Sequence, residues 1–165
     1  NQLLKINIDT NSISEIFEIG DGPTSIKIFN DNIFVANTFY DSSFNAFYGS
    51  SRIDLSNNEV TINNYGPGTV CGGSVLKYNS NIYRSYQGGI AILDEQLNIL
   101  EETKIGSYNP SQLYSSEVIG DLVYFGITNY TDINQVKVVD FNNNEIASYE
   151  VGLFPGDFAY WSQNN

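Results

Sequence analysis

Side chains able to carry out acid–base chemistry are almost all carboxylates in this chain. The sequence has 19 Asp and Glu residues, no His and a single Cys, so catalytic arrangements that need His are excluded. Two carboxylates without His can hydrolyse a glycosidic bond. Glu117 in SSEVI and Asp157 in PGDFAYW are the candidates, because both lie in extended runs predicted to face the centre of the molecule. No spacing marks them as a pair, so the sequence favours a non-catalytic role.

Motifs for metals and phosphates are incomplete. DFNNNE (140–145) matches the Asp-x-Asn-x-Asn opening of a calcium loop, but Glu145 stands where Gly is needed and Val151 where Glu is needed. An Asx-type turn between two strands explains it better. GPGTVCGG (66–73) lacks the Lys-Ser/Thr of a phosphate-binding loop. We expect no metal and no cofactor, and we predict that Cys71 is a buried loop thiol.

Aromatic residues gather in NTFYDSSFNAFYGSS (37–51), whose counterparts are SYQGG (85–89) and TNYTDINQ (128–135). Exposed rings flanked by Asp and Asn can stack on a sugar or a peptide and hydrogen-bond to its edges. The alternative is that these rings pack the loop itself. The residues predicted to bind a protein, peptide or glycan ligand are Phe39, Tyr40, Asp41, Phe47, Tyr48, Tyr86, Gln87, Asn129, Tyr130 and Asp132.

The bulk composition favours strands and excludes some partners. Twelve Tyr and ten Phe accompany abundant Asn and Gly, a mixture that suits strands joined by tight turns. The net charge of −12 would repel nucleic-acid phosphates, so no nucleic-acid partner is expected. No stretch reaches about 18 apolar residues, so no membrane insertion is expected.

The elements that position these side chains repeat along the chain. Asp9, Asp54, Asp94 and Asp140 lie 45, 40 and 46 residues apart, and each is preceded by an apolar residue. A glycine closes each unit 11 or 12 residues later. Repeats of about 40 to 50 residues are typical of arrays, solenoids and propellers.

Each unit reads as four antiparallel strands. An extended run is followed by a polar turn and a second run, then a variable loop, a third strand ending at the repeated Asp, and a fourth strand ending at the Gly. The first runs are TSIKIF (24–29), GSVLKY (73–78) and SSEVI (115–119), and the second runs are IFVAN (33–37), IYRSY (82–86) and LVYFGI (122–127). Four such strands per unit predict an all-β protein, a β-propeller built of four-stranded antiparallel blades.

The first complete unit resembles the YVTN-type propeller repeat. GPTSIKI, FVAN (34–37) and IDLSNNEV carry the resemblance, which is also clear in Lys137 to Gly152. The second complete unit departs from it, because IYRSY (82–86) replaces the strand that ends in Asn. The resemblance implies a scaffold rather than a reaction, and it implies a secreted, surface-layer or cell-envelope location.

The register of the repeat divides the single domain 1–165 into units at about 1–20, 21–66, 67–106, 107–152 and 153–165. The first begins at a third strand, and the last aligns with the first strand of the others. We therefore predict three complete blades plus parts of a split blade. A segment of a larger propeller, a four-bladed ring lacking one strand and an assembly of two chains all fit this register.

The predicted function is a non-enzymatic binding or adhesion module, extracellular or on the cell envelope, that uses the loop face. One alternative is a carbohydrate-active propeller enzyme using Glu117 and Asp157. Another is a structural subunit of a surface layer or filament, with self-association through the split blades.

Overall fold

The structure is a computed structural model that describes residues 1–68 and 73–163. The described ranges contain strands and no helix, so the all-β class is confirmed. The strands are β1 (Gln2–Asn7), β2 (Ser12–Glu18), β3 (Pro23–Phe29), β4 (Asn32–Tyr40), β5 (Ala46–Asp54), β6 (Glu59–Pro67), β7 (Val75–Tyr78), β8 (Asn81–Tyr86), β9 (Gly89–Leu93), β10 (Ile99–Ile105), β11 (Leu113–Ile119), β12 (Leu122–Ile127), β13 (Asn134–Asp140) and β14 (Glu145–Val151). Cys71 lies outside the described residues.

The strands form four antiparallel sheets, each made of consecutive strands. The N-terminal hairpin is β1–β2, the first sheet is β3–β6, the second sheet is β7–β10 and the third sheet is β11–β14. This confirms the predicted four-stranded units. The turns explain the regularity, since Asn30 and Asp31 both adopt positive φ (47° and 57°) between β3 and β4, as a two-residue hairpin turn requires.

The sheets are held together by three apolar layers, one between each pair of neighbours in sequence. On β4, Ile33 and Val35 pack against Phe17 of the N-terminal hairpin, while Phe34 and Ala36 pack against the second sheet. Side chains alternate between the two faces of a strand. A run of four apolar residues, IFVA, is therefore what a strand buried on both faces needs.

The third layer joins the second and third sheets. Its core residues are all nearly or fully buried: Leu76, Tyr83, Ile90, Ile105, Leu113, Val123, Phe125 and Val139. The first strands of the sheets also approach each other, because β7 contacts both β3 and β11. One edge strand of each four-stranded sheet therefore lies near a common region.

The Asn that ends FVAN holds a connection in place. Asn37 is buried, and its amide donates hydrogen bonds to the carbonyl oxygens of Gly20 (2.9 Å) and Asp21 (3.1 Å). Its Oδ1 accepts a hydrogen bond from the Ser51 hydroxyl at 2.9 Å. The side chain thus supplies donors for backbone carbonyls where the chain passes from the N-terminal hairpin to the first sheet.

The predicted first strand at 155–165 is not observed, since residues 153–163 contain no strand. A strand needs a hydrogen-bonding neighbour, and β1, which aligns with the third strands of the sheets, pairs with β2 alone. Pro155 has no N–H to donate to a ladder. Instead, Pro155 packs on Gly126 of the third sheet, and its carbonyl accepts a hydrogen bond from the Ser115 hydroxyl.

Candidate functional site

The predicted binding residues lie at one end of the molecule. In a meander of four strands, the connection from the second to the third strand lies at the same end as the connection between sheets. Backbone hydrogen bonds show this directly: Thr38 N–H donates to the Gly22 carbonyl, and Tyr108 N–H donates to the Gly88 carbonyl, both at 2.8 Å.

The aromatic segment 37–51 forms a long hairpin instead of a loose loop. Strand β4 continues to Tyr40 and β5 starts at Ala46, leaving a five-residue turn at 41–45. The Asp41 carboxylate accepts hydrogen bonds from the Ser43 and Asn45 backbone N–H groups (2.8 and 2.9 Å) and from the Asn45 amide (2.8 Å). These bonds, above all the one from the Asn45 side chain, lower the pKa of Asp41. Asp41 therefore organises the turn.

The same Asp-x-x-x-Asn turn occurs at two other places. Asp94 accepts hydrogen bonds from the backbone and amide of Asn98, and Asp140 accepts the same set from Asn144. The prediction of an Asx-type turn at 140–145 is thus confirmed. Within the described ranges, no group of three or more His, Cys, Asp or Glu residues could hold a metal ion.

The fourth residue of this turn has positive φ in all three places: Phe44 (62°), Leu97 (62°) and Asn143 (66°). Leu97 is fully buried in the apolar layer between the first and second sheets. Asn143 accepts a hydrogen bond from the Gly106 N–H at 2.8 Å. Phe44, by contrast, is 86% exposed. Its ring has no packing role that would explain an aromatic residue in a left-handed conformation.

The other rings of the hairpin divide into exposed and packed groups. Phe39 and Phe47 face each other across the strands and stack, with centroids 5.6 Å apart. Tyr40, at the end of β4, is 64% exposed. Tyr48 is buried against Tyr65, so in this structure Tyr48 is a packing residue. Residues 39–47 together form the hairpin tip.

The SYQGG segment contains a two-residue turn, made of Gln87 and Gly88. Tyr86 pairs with Gly89, and Gln87 and Gly88 both have positive φ. The Tyr86 hydroxyl donates to the Glu101 carboxylate, and that bond raises the pKa of Tyr86 to about 12. The Gln87 carbonyl accepts a hydrogen bond from Lys104 at 2.9 Å.

Arg84 is a buried cation beside this turn that the sequence analysis did not single out. It is fully buried on β8, and burial lowers its pKa to about 10. The guanidinium donates to the carbonyl oxygens of Asn37 (3.1 Å) and Gly49 (3.3 Å) of the first sheet, and to Ser85. No ion pair with a carboxylate is found for Arg84 among the described residues. Arg84 therefore joins two sheets through backbone carbonyls.

The third predicted group, at 128–135, also has its own local contacts. Asn129 Oδ1 accepts hydrogen bonds from the N–H groups of Thr131 and Asp132, both at 3.0 Å. The Tyr130 hydroxyl donates to the Ser111 carbonyl at 2.6 Å. Asp132 is exposed. The three groups share one end of the molecule, and each has local contacts of its own.

The tyrosines predict a loss of stability in alkali. Burial raises the pKa of Tyr48, Tyr65, Tyr78, Tyr83 and Tyr108, and the bond to Glu101 raises that of Tyr86. A phenol whose pKa is raised on folding contributes stability below its ordinary value of 10.0 that is lost as the pH rises through the folded value. Arg84, with its lowered pKa, acts in the opposite direction but is one group against six. We expect the urea midpoint to fall as the pH rises from about pH 10 to pH 12, and the fall to be smaller in Tyr86→Phe. A midpoint that rises over this interval would contradict the conclusion that the tyrosines control stability in alkali.

A second candidate site is a central cleft of about 380 Å³. Its walls come from four segments: the starts of β3 (24–27), β7 (73–76) and β11 (114–117), and residues 156–158. The Lys27 ammonium lies 3.4 Å from the Glu117 carboxylate across the cleft. Asp157 also lines it, so the structure brings the two candidate carboxylates to one cavity.

No protein-family model and no curated protein matches the chain. Within the described residues, no helix is long and apolar enough to cross a membrane. The hairpin tip and the central cleft are the two features of the structure that bear on function.

Proposed function

We propose that the chain is a YVTN-type β-propeller whose four-stranded sheets are blades around the central cleft. Three observations support this. The sheets stack in sequence order through apolar layers. Strand β7 contacts β3 and β11. Residues 156–158 occupy the fourth wall of the cleft, where the first strand of a further blade is expected. The arrangement corresponds to four positions around the axis.

On this scaffold, we infer a non-enzymatic binding or adhesion module that acts outside the cell or on its envelope. The observation that carries the inference is Phe44, an aromatic residue with φ of 62° that is 86% exposed. The left-handed region costs a residue other than Gly roughly 1–2 kcal/mol. Exposing the ring adds no compensating burial. A strained and exposed side chain on a well-ordered turn is a feature of sites selected for contact with a partner.

The hairpin tip suits a flat partner surface. Tyr40 and Phe44 present two exposed rings, while Phe39 and Phe47 stack on each other in the adjoining strands. The Asp41 turn fixes the backbone with three hydrogen bonds. Rigid aromatic side chains lose little conformational entropy on binding. A peptide or a glycan on another surface is the ligand class that we propose.

Replacing Phe44 with glycine should change stability and ligand binding in opposite directions. We expect Phe44→Gly to raise the free energy of unfolding by about 1 kcal/mol, because glycine adopts positive φ without steric cost. The same change should abolish binding to the ligands that the wild-type chain selects from printed peptide and glycan arrays. Chemical denaturation and array binding measure the two effects on one preparation.

Tyr149 provides the matched control, since it is 57% exposed on β14, away from the hairpin tip. Tyr149→Ala should retain array binding, whereas Tyr40→Ala should lose it. Equal loss in both variants, or wild-type binding in Phe44→Gly, would contradict the proposal.

Sedimentation of the ligand-free chain tests the structural-subunit alternative, which requires assembly without a ligand. That alternative is favoured by the aliphatic outer face of the N-terminal hairpin, where Ile6 and Ile13 pair while more than half exposed.

A carbohydrate-active enzyme is the second candidate, and one observation favours it: Glu117 and Asp157 line the same cleft. The geometry gives Glu117 another role as well. Its Oε1 already accepts hydrogen bonds from Lys27 (3.4 Å) and from the Val118 N–H (3.1 Å). We therefore rank catalysis below binding.

A further inference from the structure

The central cleft carries features of a second, separate binding site. It lies between the first strands of three sheets, and residues 156–158 close the fourth side. Its volume of about 380 Å³ is near the lower end of the range for small-molecule sites. A ligand of one or two sugar rings has dimensions that match such a space.

Ser116 is the strongest sign that a polar ligand belongs in the cleft. The residue is 6% exposed and lines the cavity. Its hydroxyl is buried and has no hydrogen-bond partner among the described residues. Burying a polar group without a partner is costly, so native structures nearly always supply one. A hydroxylated ligand would supply it here.

The charges in the cleft decide what kind of ligand is accepted. Lys27 contributes one ammonium, and Glu117 and Asp157 contribute two carboxylates. The excess of negative charge disfavours phosphate, sulfate and acidic sugars. The 3.4 Å contact of Lys27 with Glu117 is long, and both side chains remain about one third exposed (36% and 29%), so either group can reorient toward a ligand hydroxyl.

Apolar contact completes the chemistry. Tyr114 and Phe158 also line the cleft. Aromatic rings beside carboxylates and hydroxyls match a sugar, whose faces present C–H groups and whose edges present hydroxyls. We propose that the central cleft binds a neutral saccharide of one or two rings, with Ser116, Glu117 and Asp157 holding its hydroxyls.

The test is a calorimetric or NMR titration of the whole chain with glucose, galactose, mannose, N-acetylglucosamine, lactose and cellobiose. We expect at least one of these to bind with a Kd in the millimolar range. Glu117→Gln should weaken binding about tenfold or more, because a hydrogen bond to a charged group is lost. Ser116→Ala should weaken it about fivefold and leave the urea midpoint unchanged or higher, since it removes an unpaired hydroxyl.

Glu145→Gln is the matched control, because Glu145 forms a similar ion pair with Lys137 (3.0 Å) away from the cleft. It should leave the saccharide affinity unchanged, and so should Phe44→Gly at the hairpin tip. Absence of binding by every sugar at high concentration, or wild-type affinity in Glu117→Gln, would overturn the proposal. Competition between inorganic phosphate and the sugar would overturn the inference that the negative charge of the cleft disfavours anionic ligands. Hydrolysis of a disaccharide, lost in Glu117→Gln, would support the cleft as the sugar site while contradicting the non-enzymatic function.

Discussion

Arg84→Ala is expected to lower the free energy of unfolding by about 3–5 kcal/mol. The guanidinium is fully buried and donates to carbonyl oxygens of the first sheet at Asn37 and Gly49. Removing it takes away the hydrogen bonds to these carbonyls and opens a cavity between two sheets. Because burial lowers the Arg84 pKa only to about 10, the side chain stays charged near neutral pH. Urea unfolding followed by circular dichroism measures the loss.

One further variant of Arg84 separates its packing from its hydrogen bonds, and a control at Arg52 shows the cost of removing an arginine elsewhere. Arg84→Met fills most of the side-chain volume but donates no hydrogen bond. Its free energy of unfolding should therefore lie between those of the wild type and Arg84→Ala. Arg52→Ala is the control for removing an arginine elsewhere. Arg52 lies in β5 and its Nη1 donates to the Glu95 carbonyl, a bond at the surface, so we expect a loss of about 1 kcal/mol or less. If Arg84→Ala and Arg52→Ala were equally stable, Arg84 would not be the link between the sheets.

Gly88→Ala is expected to cost about 3 kcal/mol or more. Gly88 has φ of 74°, and a methyl group at its Cα would lie 1.8 Å from the Tyr108 carbonyl oxygen. The backbone must therefore move, which breaks the hydrogen bond from Tyr108 N–H to the Gly88 carbonyl. The positive φ contributes about 1 kcal/mol of this loss of stability. Displacement of the backbone by the added methyl group contributes the remainder. The urea midpoint of the variant measures the sum.

Gly120→Ala isolates the conformational part of this cost. Gly120 has φ of 61°, and nothing lies within 4 Å of the position that a methyl group would take. We expect this variant to lose about 1 kcal/mol, the cost of positive φ alone. The difference between the two variants is then the steric term. Equal losses would mean that the turn at 87–88 relaxes freely and does not hold the connection at Tyr108.

Most of the fold could be predicted because its signals are local. Asn30 and Asp31 mark a hairpin turn by their residue types, and the apolar run IFVA marks a strand buried on both faces. The Asp at the end of each third strand marks the turn that follows it. Each signal lies within one unit of the repeat. The four antiparallel sheets follow from these signals without knowledge of distant contacts.

The parts that could not be predicted depend on contacts between units. Nothing near Arg84 in the sequence shows that its partners are the carbonyls of Asn37 and Gly49, about 35 to 47 residues away. Tyr48 and Tyr40 look alike in a segment rich in rings, yet one is buried and the other is exposed. The signal for Phe44 was available in principle, since aligning the three Asp-x-x-x-Asn turns places it beside Leu97 and Asn143. Residues 153–163 failed as a strand because strand formation depends on a neighbour.

The stacked arrangement of sheets also has a consequence for how the chain folds and how it arose. Across residues 1–68 and 73–163, every hydrogen-bonded strand pairing joins strands that are consecutive in the chain. Each meander therefore closes only short loops, and short loops form rapidly. Cooperativity between meanders then comes from the apolar layers and from a few polar links such as Arg84. A gene segment that encodes one unit can be duplicated without disturbing any existing ladder, because the new copy brings all of its strand partners with it.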